Sequence, residues 1–182
     1  KFFVPFYYTI ADGHNPGGIS FSQQRREQIY QIMREEGMLI VEDAPYTYIS
    51  FESEQNRPKP FIAMDPDGRV IHLFTASKIA YPGQRVGFVH APGEIRIKGE
   101  QVVSLAGLLT TVSASTGLFH NPAALAVFES YLHEPIEDDF QPRTSLWPLA
   151  ASRSRVYQQN RDILLGGLQS LLGDVPEVQW VT

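Results

Sequence analysis

Short apolar runs recur along the first half of the chain and are separated by polar turns. Their aromatic and β-branched content is typical of strands. The runs are residues 6–10, 38–41, 69–74 and 86–89. The segments between them contain Gly, Pro, Asn and Asp, the residues that favour turns. We therefore expect four short strands with polar side chains gathered near their ends.

A helix is predicted between the first two strands. Apolar residues recur there at helical spacing, namely Ile29, Ile32 and Met33. Ser20 or Ser22 could cap the start of this helix, and Gly37 could end it. Residues 6–41 then form a β-α-β unit, for which a right-handed crossover is expected.

The second half of the chain is predicted to be mainly helical. The expected helices cover residues 94–115, 119–132 and 148–172. Asn121-Pro122 is a typical helix opening. The acidic, proline-bearing residues 134–143 are interpreted as an exposed loop, and residues 178–181 as a strand.

Composition narrows the possible classes of function. The 182 residues are 43% hydrophobic, with a mean hydropathy of −0.17 and a formal charge of −5, which is typical of a soluble globular protein. The 15 basic residues form no run, which disfavours a nucleic-acid surface. The chain has no cysteine, and its five histidines lack metal-ligand spacing, so no metal site is expected. Without a transmembrane or signal pattern, the expected location is the cytoplasm.

A lysine stands between hydroxyl residues and an arginine at the end of the third predicted strand. Thr75 and Ser77 precede Lys78, and Arg85 follows it. Hydroxyls and a guanidinium can hold a phosphate beside a reactive amine. Apolar surroundings and a nearby cation favour the neutral amine that forms imines. Taken alone, the pattern also fits a turn with a solvated lysine.

Polar residues follow the first two strands as well. Asn15 lies in the segment HNPGG, and Asp43 and Tyr46 lie in EDAPY. Together with the lysine segment, these stretches resemble the class I and II aminotransferases of fold type I, especially the branch of aminoadipate, kynurenine and aromatic aminotransferases. The resemblance is strong over residues 5–95 and looser beyond. Gly17 stands where the family usually has threonine, and Thr75 stands where it often has serine, which keeps the hydroxyl.

The resemblance implies a fold and a domain organisation. It implies an α/β fold with a mostly parallel sheet flanked by helices, which is the central part of the large domain of a fold type I enzyme, followed by the start of a small α+β domain. Residues 1–147 would belong to the large cofactor-binding domain. Residues 148–182 would form a long bridging helix and the start of the small domain.

The resemblance also implies pyridoxal 5'-phosphate as the cofactor and assigns three catalytic residues. Lys78 would form the internal aldimine and later carry the substrate's α-proton. Asp43 would keep the pyridine nitrogen protonated. Tyr46 would hydrogen-bond the phenolic oxygen. Glu42 is expected on the opposite face of its strand, because neighbouring strand residues alternate.

The remaining implied contacts bind the cofactor without reacting. Asn15 would share the phenolic oxygen with Tyr46. Arg85 would bind the phosphate, with hydroxyl donors from Thr75 and Ser77. By the same resemblance, the Asn15-Pro16 peptide bond is expected to be cis.

The expected activity is transfer of an amino group between an amino acid and a 2-oxo acid, by a homodimer. Aromatic and long-chain amino acids are both compatible with the sequence. The arginine for the substrate carboxylate and the main phosphate-binding turn of the family find no match here. We therefore expect residues 1–182 to be a section of a longer enzyme and inactive alone. Two alternatives stay open: another reaction of the same cofactor, such as a lyase or decarboxylase, and an aminotransferase-like sensor domain of a transcriptional regulator.

Overall fold

A four-stranded sheet forms the centre of the fold. The structure is a computed structural model that describes residues 5–80, 82–97, 101–117, 121–133 and 147–175. The strands run in the order β1-β2-β3-β4 across the sheet. Their bounds are Phe6–Thr9 (β1), Leu39–Asp43 (β2), Val70–Thr75 (β3) and Gly87–His90 (β4). Strand β2 is parallel to β1 and β3, whereas β4 is antiparallel to β3. The predicted α/β fold with a mostly parallel sheet is confirmed.

The parallel register brings three strand ends to the same edge of the sheet. Thr9 pairs with Glu42, and Asp43 pairs with Leu73. Consequently the segments that follow β1, β2 and β3 all leave the sheet at its carboxyl edge. This edge is where α/β proteins usually bind ligands.

Helix α1 crosses between β1 and β2 and begins and ends at the predicted signals. It spans Gln23–Glu35, and the hydroxyl of Ser22 accepts the N–H of Arg25 at 3.3 Å. The predicted alternative cap, Ser20, instead accepts the N–H of Gly13 at 2.9 Å. Gly37 follows the helix with a φ of 65°, a left-handed conformation that glycine adopts without strain.

Two apolar clusters hold the described elements together. The first packs α1 against the sheet and consists of Ala11, Tyr30, Ile40, Phe61 and Val70. The second joins the segment after β3 to helix α3 (Pro122–His133), and consists of Ala76, Val86, Ala124 and Phe128. Buried side chains on both sides of Lys78 in the sequence therefore pack against α3.

The helix predicted over residues 94–115 is wrong in its first part. The structure has two antiparallel strands there, Ile95–Ile97 (β5) and Gln101–Val103 (β6), and helix α2 spans Leu105–Gly117. Both strands are rich in β-branched residues, which favour strands over helices. The hydroxyl of Ser104 accepts the N–H of Gly107 at 3.1 Å and so caps the helix at its true start.

The other two predicted helices are present. The side chain of Asn121 accepts the N–H groups of Ala123 and Ala124, so α3 opens at Asn121-Pro122 as expected. Helix α4 spans Trp147–Leu172. The predicted loop at 134–143 and the strand at 178–181 lie outside the described residues. Among the described helices, none is long and apolar enough to cross a membrane.

Replacing Ser22 with alanine should lower the free energy of unfolding by about 1 kcal/mol, because the N–H of Arg25 in the first turn of α1 loses its side-chain acceptor. Ser53 provides a matched control, since it has the same extended N-cap conformation without a capping side-chain bond. Ser53→Ala should change that free energy by less than about 0.5 kcal/mol. Equal losses for the two variants in urea unfolding would contradict the assigned cap.

Candidate active site

The segment after β1 forms a closed loop that presents Asn15. The N–H of Phe21 donates to the carbonyl of Ala11 at 2.9 Å, which closes the base of the loop. The Asn15-Pro16 peptide bond is cis, which confirms the sequence prediction. Asn15 is exposed at the tip. Gly18 has a φ of 67°, a conformation that favours glycine at this turn.

Strand β2 ends in two carboxylates that face opposite sides, as the alternation of strand residues predicts. Glu42 is only 1% exposed, and its carboxylate accepts the N–H groups of Phe61 at 2.7 Å and Ile62 at 3.2 Å. The Nδ1 atom of His72 lies 2.8 Å from the same carboxylate. Asp43 is half-buried on the other side. Glu42 is therefore part of the packing of the fold, and Asp43 remains available at the sheet edge.

A tyrosine that the sequence analysis did not select contacts Asp43. The hydroxyl of Tyr8 donates to Oδ2 of Asp43 at 2.5 Å. This hydrogen bond, with burial and the negative charge of Asp43 adding to it, raises the pKa of Tyr8 to about 12. The phenol therefore stays a donor at neutral pH. It occupies Oδ2 of Asp43, and no other described residue forms a hydrogen bond with Oδ1.

Lys78 ends a short 3-10 turn, Ala76–Lys78, directly after β3. The hydroxyl of Thr75 caps this turn by accepting the N–H of Ser77 at 3.2 Å, and the hydroxyls of Thr75 and Ser77 lie 3.1 Å apart. The Nζ atom of Lys78 lies 5.6 Å from the centre of the Tyr46 ring, within the range of a cation–π contact. The structure thus brings together two of the predicted site residues that are distant in sequence.

Arg85 lies on the turn between Lys78 and β4. Its backbone φ is 55°, and its side chain is exposed. One guanidinium nitrogen donates to the carbonyl of Pro82 at 3.4 Å. Within the described residues, no hydrogen bond or ion pair joins Arg85 or Asn15 to another predicted site residue.

A cleft of about 820 Å³ lies beside these residues. The loop after β1, the segment after β2 and Arg161 of α4 line it, and the predicted site residue Tyr46 is part of this lining. Asp43 and Lys78 are not part of its lining. Of the three predicted catalytic residues, Tyr46 therefore borders the cleft, whereas Asp43 and Lys78 belong to the neighbouring sheet edge. In the described part of the chain, no three His, Asp or Glu residues are arranged to hold a metal ion.

A comparison with protein families agrees with the arrangement at the sheet edge. The family model described as aminotransferase class I and II matches residues 10–180. The chain belongs to this family. The match extends over both halves of the chain, including the parts where the sequence resemblance is looser.

Three similar proteins illustrate the range of the family. The mitochondrial kynurenine/alpha-aminoadipate aminotransferase of Bos taurus is 40% identical over 89 residues, which are 48% of this chain and 20% of that protein. An uncharacterized HTH-type transcriptional regulator of Bacillus subtilis, YisV, is 34% identical over 128 residues, 70% of this chain and 25% of its own. The structure of Pyrococcus horikoshii kynurenine aminotransferase superposes with a TM-score of 0.68 at 27% identity and covers 91% of this chain.

This aminotransferase-family chain spans only part of the proteins it matches. It covers about a fifth to a quarter of the two curated relatives, 20% and 25%, and 36% of the Pyrococcus structure.

Two contacts at the site escaped the sequence analysis. One is the hydrogen bond from Tyr8 to Asp43. The other is the hydrogen bond that the hydroxyl of Tyr157 on α4 donates to the carbonyl of Lys78 at 3.1 Å. Strand alternation offered a signal for Tyr8, because it lies opposite Val41, which shares a strand face with Asp43. No local pattern links Tyr157 to Lys78, since the two residues are 79 positions apart.

Asp43→Asn should lower the pKa of Tyr8 from about 12 toward its ordinary value of 10.0, because the carboxylate charge and its hydrogen bond favour the neutral phenol. The hydrogen bond is intact below pH 10.0 and is lost as the pH rises through about 12. Tyrosinate absorbance is measured for the unsubstituted protein and for Asp43→Asn, each with and without the additional substitution Tyr8→Phe. In each background, the difference between the two curves is the titration of Tyr8. Tyr30 provides the matched control, because its hydroxyl donates to Asp65 at 2.7 Å and Asp43→Asn leaves this pair unchanged. A Tyr8 midpoint unchanged by Asp43→Asn would contradict the assignment.

Proposed function

We propose that the full-length protein is a pyridoxal 5'-phosphate-dependent aminotransferase that exchanges an amino group between an amino acid and a 2-oxo acid. One observation carries the proposal: at the carboxyl edge of a parallel sheet, Lys78 lies 5.6 Å from the ring of Tyr46, and the neighbouring strand ends in Asp43. Membership of the class I and II family supports the same reading.

The donor set fits the cofactor's functional groups. Asp43 accepts the Tyr8 hydroxyl with Oδ2 and offers its other carboxylate oxygen to the ring nitrogen. Lys78 offers an amine to the aldehyde. Tyr46 and Asn15 offer a hydroxyl and an amide to the phenolic oxygen. The hydroxyls of Thr75 and Ser77 and the exposed guanidinium of Arg85 suit the phosphate. The Pyrococcus relative, whose structure holds PMP, gives further support.

Each residue has a defined task in this proposal. When bound, the cofactor supplies an electron-accepting ring that stabilises negative charge at the substrate's α-carbon. The carboxylate of Asp43 holds a proton on the ring nitrogen. The amine of Lys78 is the covalent attachment point and, once released, the base that takes the α-proton. Tyr46 and Asn15 stabilise negative charge on the phenolic oxygen, and Arg85 anchors the phosphate.

The finer properties belong to the same proposal. The name of the Bos taurus relative favours kynurenine or aminoadipate as the amino donor, and the sequence resemblance to aromatic aminotransferases adds aromatic amino acids. We also propose a homodimer. Exposed apolar side chains on α2 and α4, such as Val112 at 55% and Ile163 at 75%, suit a covering surface. A cytoplasmic location is proposed as well, and cell fractionation can test it against the mitochondrial location named for the Bos taurus relative.

A second candidate is the sensor domain of a transcriptional regulator. The likeness to the HTH-type regulator of Bacillus subtilis, over 70% of this chain, favours it. Purified full-length protein distinguishes the two functions. Turnover of an amino acid with a 2-oxo acid supports the aminotransferase, whereas cofactor binding with DNA binding and no turnover supports the regulator. Release of carbon dioxide or of an elimination product would instead indicate another reaction of the cofactor.

Lys78→Ala should abolish the covalent link to the cofactor and lower turnover about 10²- to 10⁴-fold, because the chain loses both the attachment point and the base. Absorbance in the visible range and borohydride reduction followed by peptide mapping measure the link. Lys59→Ala is the control, since the hydrogen bonds of Lys59 use its backbone N–H and carbonyl. A reduced label on a different lysine would refute the role of Lys78.

Asp43→Asn should lower kcat about 10²- to 10³-fold and weaken cofactor binding much less, because the charge of Asp43 acts mainly as negative charge develops at the α-carbon. Steady-state kinetics and equilibrium dialysis separate the two effects. Asp67→Asn is the control, since it removes a surface carboxylate that pairs with Arg34. Near-normal turnover of Asp43→Asn would remove Asp43 from the ring nitrogen.

A further inference from the structure

A fully buried arginine lies beneath the loop that carries Asn15. Arg26 on α1 is 0% exposed. Its Nε atom donates to the carbonyl of Phe21 at 3.1 Å, and its terminal nitrogens donate to the carbonyls of Ala11 at 3.3 Å and Lys59 at 3.4 Å. Because Ala11 and Phe21 form the two ends of the loop, one side chain fixes both of them.

The charge of Arg26 is balanced by Asp12. The two side chains form an ion pair with a hydrogen bond to each carboxylate oxygen of Asp12. A buried guanidinium needs such a partner, since an unpaired charge in the interior is strongly unfavourable. The pair therefore fixes the position of Asp12, three residues before Asn15 in the sequence.

Asp12 in turn binds the segment that follows β2. The hydroxyl of Thr47 donates to Oδ2 of Asp12 at 2.7 Å. Thr47 directly follows Tyr46. The two segments also pack closely at Gly13. A Cβ atom placed on this glycine would lie 3.5 Å from the Cβ of Tyr46, which is van der Waals contact. The Arg26–Asp12 ion pair and the Thr47–Asp12 hydrogen bond thus connect the Asn15 loop to the Tyr46 segment, with the buried guanidinium of Arg26 as their anchor.

We propose that Asp12 and Thr47, anchored by Arg26, are positioning residues that hold Asn15 and Tyr46 in register for their shared hydrogen bonds to the cofactor's phenolic oxygen. This inference rests on the proposed function. Two side chains from different loops must reach one atom, and hydrogen bonds weaken steeply when their geometry is lost. Without Thr47, the Tyr46 segment loses its polar link to the Asn15 loop. Neither Asp12 nor Thr47 needs to touch the cofactor itself.

Thr47→Val is the decisive variant, because valine matches threonine in shape and leaves the Arg26–Asp12 ion pair intact. Replacement of Arg26 would open the core and confuse positioning with folding. Donors to the phenolic oxygen stabilise its ionised form, so their misplacement raises the pH at which the cofactor's bound absorbance titrates. We expect a rise of about one pH unit, the shift that corresponds to losing roughly one hydrogen bond to a charged oxygen.

Two further variants isolate the hydroxyl of Thr47. Thr47→Ser retains a hydroxyl donor and should restore the titration midpoint of the unsubstituted protein. Thr110→Val removes a threonine hydroxyl that donates to Ala106 within α2 at 2.9 Å, and should leave the midpoint unchanged. Melting curves should show that Thr47→Val and Thr110→Val both remain folded at the temperature of the titration.

The measurements use full-length protein, first stripped of cofactor and then titrated with pyridoxal 5'-phosphate. Besides the raised midpoint, Thr47→Val should bind the cofactor several-fold more weakly. Unchanged midpoint and affinity in Thr47→Val would overturn the inference, as would Thr47→Ser behaving like Thr47→Val. If the unsubstituted protein forms no covalent link to the cofactor at Lys78, the proposed function itself fails.

Discussion

The parallel pairing of β2 with β1 and β3 determines where the candidate site lies. It places the carboxyl ends of three strands at one edge, so that Asp43 and the turn that carries Lys78 leave the sheet on the same edge although the two residues are 35 positions apart. The pairing also determines which side each residue faces. A slip by one residue would exchange the faces of Glu42 and Asp43 and bury the wrong carboxylate. The site therefore depends on the register before it depends on any side chain.

Glu42 contributes strongly to that register. Its carboxylate, 1% exposed, receives two backbone N–H groups at the start of the 3-10 turn Phe61–Met64 and contacts His72 on the neighbouring strand. A buried carboxylate without such partners is costly, so the alternative register, with Asp43 on the packed side, is disfavoured. One carboxylate thus stabilises the strand position that leaves the other accessible.

The parts of the fold set by local sequence were predictable. The β-branched runs, the cap at Ser22, the stop at Gly37 and the helix opening at Asn121 all depend on neighbours within a few residues. The strands Ile95–Ile97 and Gln101–Val103 were not predictable in the same way, because the apolar positions of such short segments fit both the helical and the strand period.

Contacts across the chain could not be read from local patterns. The hydrogen bond from Tyr8 to Asp43 spans 35 residues, and that from Thr47 to Asp12 also spans 35. The first contact follows only when the strand register is known, and the second only when the path of the loops is known as well. A list of polar residues near strand ends therefore identifies Asp43 but not the residue that holds it.

The candidate site combines two kinds of positioning. Asp43 lies at the end of β2, so the sheet itself places it, and the 3-10 turn that carries Lys78 is capped by Thr75, the last residue of β3. Asn15 and Tyr46 lie on segments whose backbone has no strand partner, and other groups must satisfy and fix that backbone. Arg26 suits this task, since a guanidinium has five N–H donors in a rigid plane and can bind several carbonyls at once. An apolar residue of similar size would fill the same space but would leave the carbonyls of Ala11 and Phe21 without that donor. The buried charge thus gives the loops a rigidity that the strand ends obtain from the sheet.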